Sequence, residues 1–222
     1  MKIGFFGDSF CSCVTHPAYS FIPYISLLQN HYNAEIVNLG HGGSSIWDLL
    51  INQLTPFINS KTIPDVCVFV WTEPHRLFHR SIRHISSSAA VNSKDSDPVW
   101  KAAKEYYLSL EDSELDELRY RATLHYVDNV ILPAFPSTTK IVHLWSFGLP
   151  KNYNYRDPAS FAPDCVQYYH TWKTGVEIRP PMITLAVEGL KIEDLDDRPN
   201  HLIGQEKNNQ VFELIKNAID SQ

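Results

Sequence analysis

Four short runs rich in β-branched and aromatic residues, at 3–6, 34–39, 65–71 and 140–145, recur along this chain with amphipathic segments between them. The runs are mostly apolar, which suits strands buried on both faces better than strands alternating between core and solvent. The segments between them carry a helical period. Phe21, Ile25 and Leu28 share one helical face, with Pro23 in the first turn, where its missing N–H has no intrahelical partner to lose. Ser45 and Asp48 resemble a capping box ahead of Ile46, Leu49, Leu50 and Leu54. Asp97-Pro98 and Ser113 read as N-caps for helical segments reaching about Leu132. A last helix is predicted over 204–219, with Val211, Leu214, Ile215 and Ile219 facing inward. Alternating β and α predicts a mainly parallel sheet covered by helices on both faces, in a single three-layer α/β domain over residues 1–222. A fifth strand is expected at 181–188 on Met182, Ile183, Leu185 and Val187, although its proline-rich approach suits a surface loop equally well.

Two stretches interrupt the alternation and read as loop insertions, at about 76–97 and 147–181. Both follow strands, so both fall at the C-terminal edge of the sheet, where ligands bind in doubly wound folds. In the first, Arg76, Arg80 and Arg83 recur at helical spacing opposite Phe78, Ile82 and Ile85, which predicts an amphipathic helix with a basic face. In the second, Tyr153, Tyr155, Phe161, Tyr168, Tyr169 and Trp172 crowd 151–172; they would pack the loop onto the body or, where exposed, offer a platform for a sugar ring or acyl group.

Composition bounds the functions. With 44% apolar and 20% charged residues and a mean hydropathy of −0.22, the chain is of globular type. A net charge of −6 gives no electrostatic case for binding nucleic acid. No run is long enough to span a membrane and no secretory hydrophobic region is present, so a cytoplasmic location is expected. Cys11, Cys13, Cys67 and Cys165 lack paired C-x-x-C spacing, so neither a zinc site nor disulfides are expected. His75 and His79 have i, i+4 spacing, but Arg76 stands where a zinc-protease helix carries glutamate, and no metal is expected there.

Three segments carry candidate chemistry. The first strand ends in Gly7-Asp8-Ser9, placing a serine at the sheet's C-terminal edge. The second runs into Asn38-Leu39-Gly40-His41-Gly42-Gly43, whose glycines let backbone N–H groups approach an anion, as in an oxyanion hole or a phosphate cradle. It matches neither a Walker loop nor a dinucleotide fingerprint. Asp196-Asp197-Arg198-Pro199-Asn200-His201 precedes the last helix, where a carboxylate could orient an imidazole from its far nitrogen.

In order and spacing these segments resemble the SGNH (GDSL-type) hydrolase superfamily across the whole chain. The resemblance implies a flavodoxin-like α/β/α sandwich and a serine hydrolase acting on small ester or acetylated substrates, including carbohydrates, without a cofactor. By position, Ser9 matches the nucleophile, Gly43 an oxyanion donor and His201 the general base. Asp197, four residues before the histidine, is preferred over Asp196 as the triad acid; the superfamily's aspartate stands three before, where this chain has Arg198. The third block also departs from the pattern. Glu73 occupies the place of an asparagine whose amide donates to the oxyanion, and an ionised glutamate there would repel developing charge. Thr72, His75 or Arg76 could supply a replacement donor, and Arg76 would also neutralise Glu73, so a Glu73–Arg76 pair is expected. A non-catalytic SGNH-like binding domain with a degraded oxyanion hole is the alternative, and a phosphate-binding domain using the Gly40–Gly43 loop is a third reading.

Overall fold

A computed structural model describes residues 1–11, 21–80, 82, 85–94, 96–147, 149–150, 166–167, 169–187, 201–202 and 204–222. The expected strands form β1 (Lys2–Gly7), β2 (Glu35–Asn38), β3 (Val66–Trp71) and β4 (Lys140–Trp145). They are joined by a short β5 (Val176–Glu177) in one parallel sheet of order β2-β1-β3-β4-β5. This is the doubly wound order of flavodoxin-like folds, with a topological switch between β1 and β3. The register runs Phe5↔Val68 and Gly7↔Val70 on one side of the switch, and Phe69↔His143 and Trp71↔Trp145 on the next pair.

Side-chain alternation divides the strands between two cores. Ile3, Phe5, Val66, Val68, Val70, Val142 and Leu144 face one side, where they pack with α1 (Tyr24–Tyr32), α7 (Met182–Val187) and α8 (Gly204–Asp220). Phe6, Cys67, Phe69, Trp71, Ile141 and Trp145 face the other. There they meet a continuous helical stretch made of α2 (Ile46–Asp48), a π-helical turn at Leu49–Leu54 and α3 (Thr55–Ser60). They also meet α6 (Ser113–Tyr126), which runs on through a π-helical Val127–Ile131. β1, β3 and β4 are covered on both faces, so each reads as a mostly apolar run rather than an alternating one.

The helix-start signals act as local chemistry requires. Ser45 Oγ accepts from the Asp48 N–H at 3.3 Å, and Asp97 Oδ1 accepts from the Val99 N–H at 2.7 Å to open α5 (Pro98–Glu105). At α6 the cap is Asp112, one residue before the expected Ser113; its carboxylate takes the Glu114 and Leu115 N–H groups. No helix among the described residues is long and apolar enough to cross a membrane.

Two expectations are corrected. The fifth strand is not at 181–188; β5 lies earlier, and Met182–Val187 is helical, with Thr184 and Leu185 N–H groups donating to the Pro181 carbonyl. Met182, Ile183, Thr184, Leu185 and Ala186 are all buried, so burial sets no period here, and a short apolar run does not distinguish helix from strand. Nor does a basic amphipathic helix follow β3. Leu77 and Ile85 instead form an isolated antiparallel bridge, clasped by the Tyr107 hydroxyl, which lies 2.7 Å from the His75 carbonyl oxygen and 2.8 Å from that of Ile85. This clasp takes up main-chain carbonyls a helix would have used, and Ile85, Ala90, Ala103 and Tyr107 form a small core of their own, with α4 (Ser87–Asn92) packed on it. Arg83 lies outside the described residues. So do Tyr153, Tyr155, Phe161 and Tyr168 of the aromatic loop, while Tyr169 and Trp172 are buried against the sheet.

Beside Trp172 sits a fully buried histidine. His143 accepts from the Trp71 indole N–H at Nδ1 (3.0 Å) and donates from Nε2 to the Thr174 carbonyl (2.8 Å). Indole nitrogen only donates, which fixes the tautomer. Its ring stacks on Trp172 at 3.9 Å and 4°. Burial pushes the imidazole down to about 3. The unfolded chain takes up that proton near pH 6.5. Stability from this group is therefore complete above about pH 6.5 and is lost as pH falls toward 3, by up to about 1.4 kcal/mol per pH unit. In urea unfolding at pH 7 and pH 5, His143→Asn, which keeps a donor and an acceptor but does not titrate, should shrink the stability difference by about 2 kcal/mol. An unchanged difference would show that His143 does not bind a proton on unfolding.

Candidate active site

Ser9 opens a tight 3-10 turn, Ser9–Cys11, directly beyond β1. Asp8 makes this turn. Its buried carboxylate accepts from the Phe10 N–H at 3.1 Å, and its carbonyl accepts from the Cys11 N–H at 3.0 Å. The same carboxylate accepts from the Ser146 hydroxyl (2.8 Å) at the end of β4 and from Arg76 Nη1 (3.4 Å) after β3. Phe10 is buried and its carbonyl takes the Tyr24 hydroxyl, so the turn is anchored at both ends while Ser9 stays half-exposed.

His201 reaches Ser9 from the other end of the chain. Its Nε2 lies 2.7 Å from Ser9 Oγ across a sequence separation of 192 residues. The imidazole leans on the Phe10 ring, centroids 4.8 Å apart, just before α8. Buried Leu202 fastens the following residue to the core. α8 is itself tied to the segment leading into α1: Asn208 Oδ1 takes the Tyr24 N–H at 3.0 Å and Gln205 Oε1 takes the Ile22 N–H at 2.8 Å. Asp197 and Asp196 lie outside the described residues.

The glycine-rich loop is drawn against the serine turn by side chains from two directions. Asn38 donates to the Cys11 carbonyl at 2.6 Å and accepts from the Gly40 N–H at 3.0 Å. Gly40 is there for close approach, since a Cβ at that position would meet Cys11 Cβ at 2.1 Å. Gly43 has φ 75°, in the left-handed region that favours glycine, and ends the turn closed by the Ser44 N–H to the His41 carbonyl. From behind, Gln53 brackets the last peptide of β1, accepting the Gly7 N–H at 2.7 Å and donating to the Gly7 carbonyl at 2.9 Å. The Ser44 hydroxyl donates to buried Asp48 at 2.7 Å. Ser9, Gly43 and His201 thus gather at one edge of the sheet.

Arg76 closes the arrangement from the loop after β3. Its Nε donates to Glu73 Oε1 at 2.8 Å, and Nη1 reaches Asp8 Oδ2 at 3.4 Å and the Ser44 carbonyl at 3.3 Å. The guanidinium carbon lies 5.3 Å from the centre of the Phe147 ring. Burial works against the arginine charge, but the Glu73 and Asp8 carboxylates outweigh it and hold its pKa above the usual value. Arg76 Nη2 has no hydrogen-bond partner among the described residues, so one donor of the fork remains unused. His75 turns instead toward Glu111, 3.8 Å from its Nδ1, and the Thr72 hydroxyl is buried with no hydrogen-bond partner. Cys67 is buried beneath the sheet, its thiol pushed up to about 12 by burial and by Asp65, far from a thiolate nucleophile.

Several of these residues carry no local sequence signal. Asp8 is visible in the Gly-Asp-Ser string, but as a turn former and not as the acceptor that joins three loops. Ser146 and Gln53 reach the site only through sheet order and helix docking.

No protein-family model matches the chain, and no curated protein matches it. Among solved structures, a variant of Axe2, an acetyl xylan esterase from Geobacillus stearothermophilus, superposes with a TM-score of 0.54 at 16% identity, over 98% of this chain and 94% of that one. A catalytic mutant of Axe2 gives a TM-score of 0.51 at 15% identity, over 98% and 93%. At such identity the similarity lies in the fold: this chain shares the flavodoxin-like α/β/α architecture of these two esterase structures.

Proposed function

We propose that the chain is a serine hydrolase of small esters, with Ser9 as nucleophile and His201 as general base. The observation that carries this is the 2.7 Å contact between Ser9 Oγ and His201 Nε2, made by residues from opposite ends of the chain at the ligand-binding edge of the sheet. The fold shared with acetyl xylan esterases favours an acetyl ester as substrate, an acetylated carbohydrate among them. Coverage of nearly the whole chain supports residues 1–222 as one such unit.

In this mechanism Ser9 Oγ attacks the ester carbonyl carbon while its proton passes to His201 Nε2. The tetrahedral oxyanion is held by the backbone N–H groups of Ser9 and Gly43. Collapse breaks the ester C–O bond, and the imidazolium returns its proton to the departing alcohol. Water, deprotonated by His201, then cleaves the acyl-Ser9 ester. Asp197, or Asp196 beside it, would orient the imidazole and stabilise its cation. Arg76 takes over the part of the absent asparagine amide: with Glu73 paired and turned structural, the unused Nη2 is the donor available to the oxyanion. No metal or organic cofactor enters these steps.

With p-nitrophenyl acetate, Ser9→Ala should lower kcat by about 10³-fold or more and shift stability by no more than about 0.5 kcal/mol, because the side chain is small and half-exposed. A fluorophosphonate should label wild type once, at Ser9. A folded protein that is neither labelled nor active favours the non-catalytic binding-domain alternative.

For Arg76, the expected loss on Arg76→Met is about 10²–10³ in kcat. It should also cost about 3–5 kcal/mol in urea unfolding, because Glu73 and Asp8 are left as buried carboxylates without their cation. Glu73→Gln in the same chain should restore part of the stability without restoring kcat. Recovery of both together would reduce Arg76 to a structural residue.

A further inference from the structure

Beside the loop that carries Glu73 and Arg76, a second group of side chains converges with no part in the ester chemistry. His75 leaves β3's loop, Glu111 follows the π-helical end of α5 at Tyr106–Leu110, and Asp116 sits in the first turn of α6. One ligand atom from each lies within 4.8 Å of the other two. The His75 Nδ1 atom is shut off from solvent and has no hydrogen-bond partner, Glu111 Oε1 at 3.8 Å being out of reach for one. A shielded imidazole nitrogen aimed at two carboxylates is costly unless something positive stands between them. Among the described residues, Arg119 is the cation in contact with the cluster's carboxylates. Arg119 touches Asp116 at 3.4 Å but its side chain is 59% exposed, so its charge is largely screened.

We propose that His75, Glu111 and Asp116 form a binding site for one divalent transition cation, Zn²⁺ being the best match to one imidazole and two carboxylates. Bonds of about 2.0–2.2 Å in a tetrahedral arrangement put ligand atoms roughly 3.4 Å apart. The present spread is therefore somewhat open, and the long Glu111 side chain, on the surface end of the group, can close it. Asp116 is already oriented in the way metal carboxylates are, since the Tyr106 hydroxyl lies 3.2 and 3.3 Å from its two oxygens. A cavity of about 340 Å³, lined by His75, Asp116 and Tyr106 and also by Arg76 and Arg119, adjoins the group and leaves room for a water or an exchangeable ligand as the fourth ligand. Bound cation would tie the β3 loop to α5 and α6. The site needs neither Ser9 nor His201.

The test is calorimetric titration of the chelator-treated full chain with ZnCl₂, backed by CoCl₂ titration followed in the visible spectrum. The expected result is saturation at one equivalent, tetrahedral Co²⁺ bands and a rise in Tm on loading. Glu111→Gln and His75→Gln should each weaken binding at least about tenfold, and Ser9→Ala should leave it unchanged. Glu111→Gln alters only a surface side chain, so it carries the test even if His75→Gln misfolds. The absence of saturable one-equivalent binding, or binding that Glu111→Gln leaves intact and that therefore belongs to some of the other histidines among the chain's ten, overturns the proposal.

Discussion

The buried guanidinium of Arg76 holds together what the sheet edge brings near. Asp8 and Glu73 are both carboxylates largely removed from water, and Arg76 stands within a few ångströms of each, at 3.4 and 2.8 Å. One planar fork answers both, and its Nη1 also meets the Ser44 carbonyl. The loops after β1, β2 and β3 are thereby locked to each other through a charge that cannot be moved without stranding the others. A lysine, with a single ammonium, could not face these partners in the same way.

This lock matters because the sheet alone leaves its loops free to drift. β1 and β3 lie side by side on either side of the topological switch, so the chain leaving each strand turns away in opposite directions and a crevice remains. Asp8 spans it toward Ser146, Arg76 spans it from the other side, and Gln53 grips the last peptide of β1 from the helix behind. A serine on such a support needs little reorganisation to hold one rotamer beside an imidazole. Where the sequence resemblance expects an asparagine, Glu73 instead forms an ion pair with Arg76 that fastens the loop.

Much of the architecture could be read from the residues in order, because the physics there is local. Apolar runs bounded by small and polar residues mark β1 to β4, and Ser45, Asp97 and the 3.6-residue period of Val211, Ile215 and Ile219 mark helices whose hydrogen bonds close within a few residues. The errors fell where local pattern was ambiguous or overruled. Residues 182–187 are too short for a period to decide, and after β3 the spacing of Arg76 and Arg80 was real but lost to a clasp on Tyr107, a residue some thirty positions on.

By itself the sequence determined the layers, the first four strands, the location of Ser9 at a strand's end and of His201 before the last helix, and the charge opposition between Glu73 and Arg76. Only the tertiary structure decided that Ser9 and His201 meet, that Asp8 and not Glu73 alone shares the guanidinium, and that His75 faces Glu111 rather than the serine. The division has one physical reason. Propensity, capping and periodicity act over a few residues, whereas hydrogen bonds and ion pairs at a sheet edge join atoms whose separation is set by strand order and helix docking, quantities to which no short stretch of chain has access.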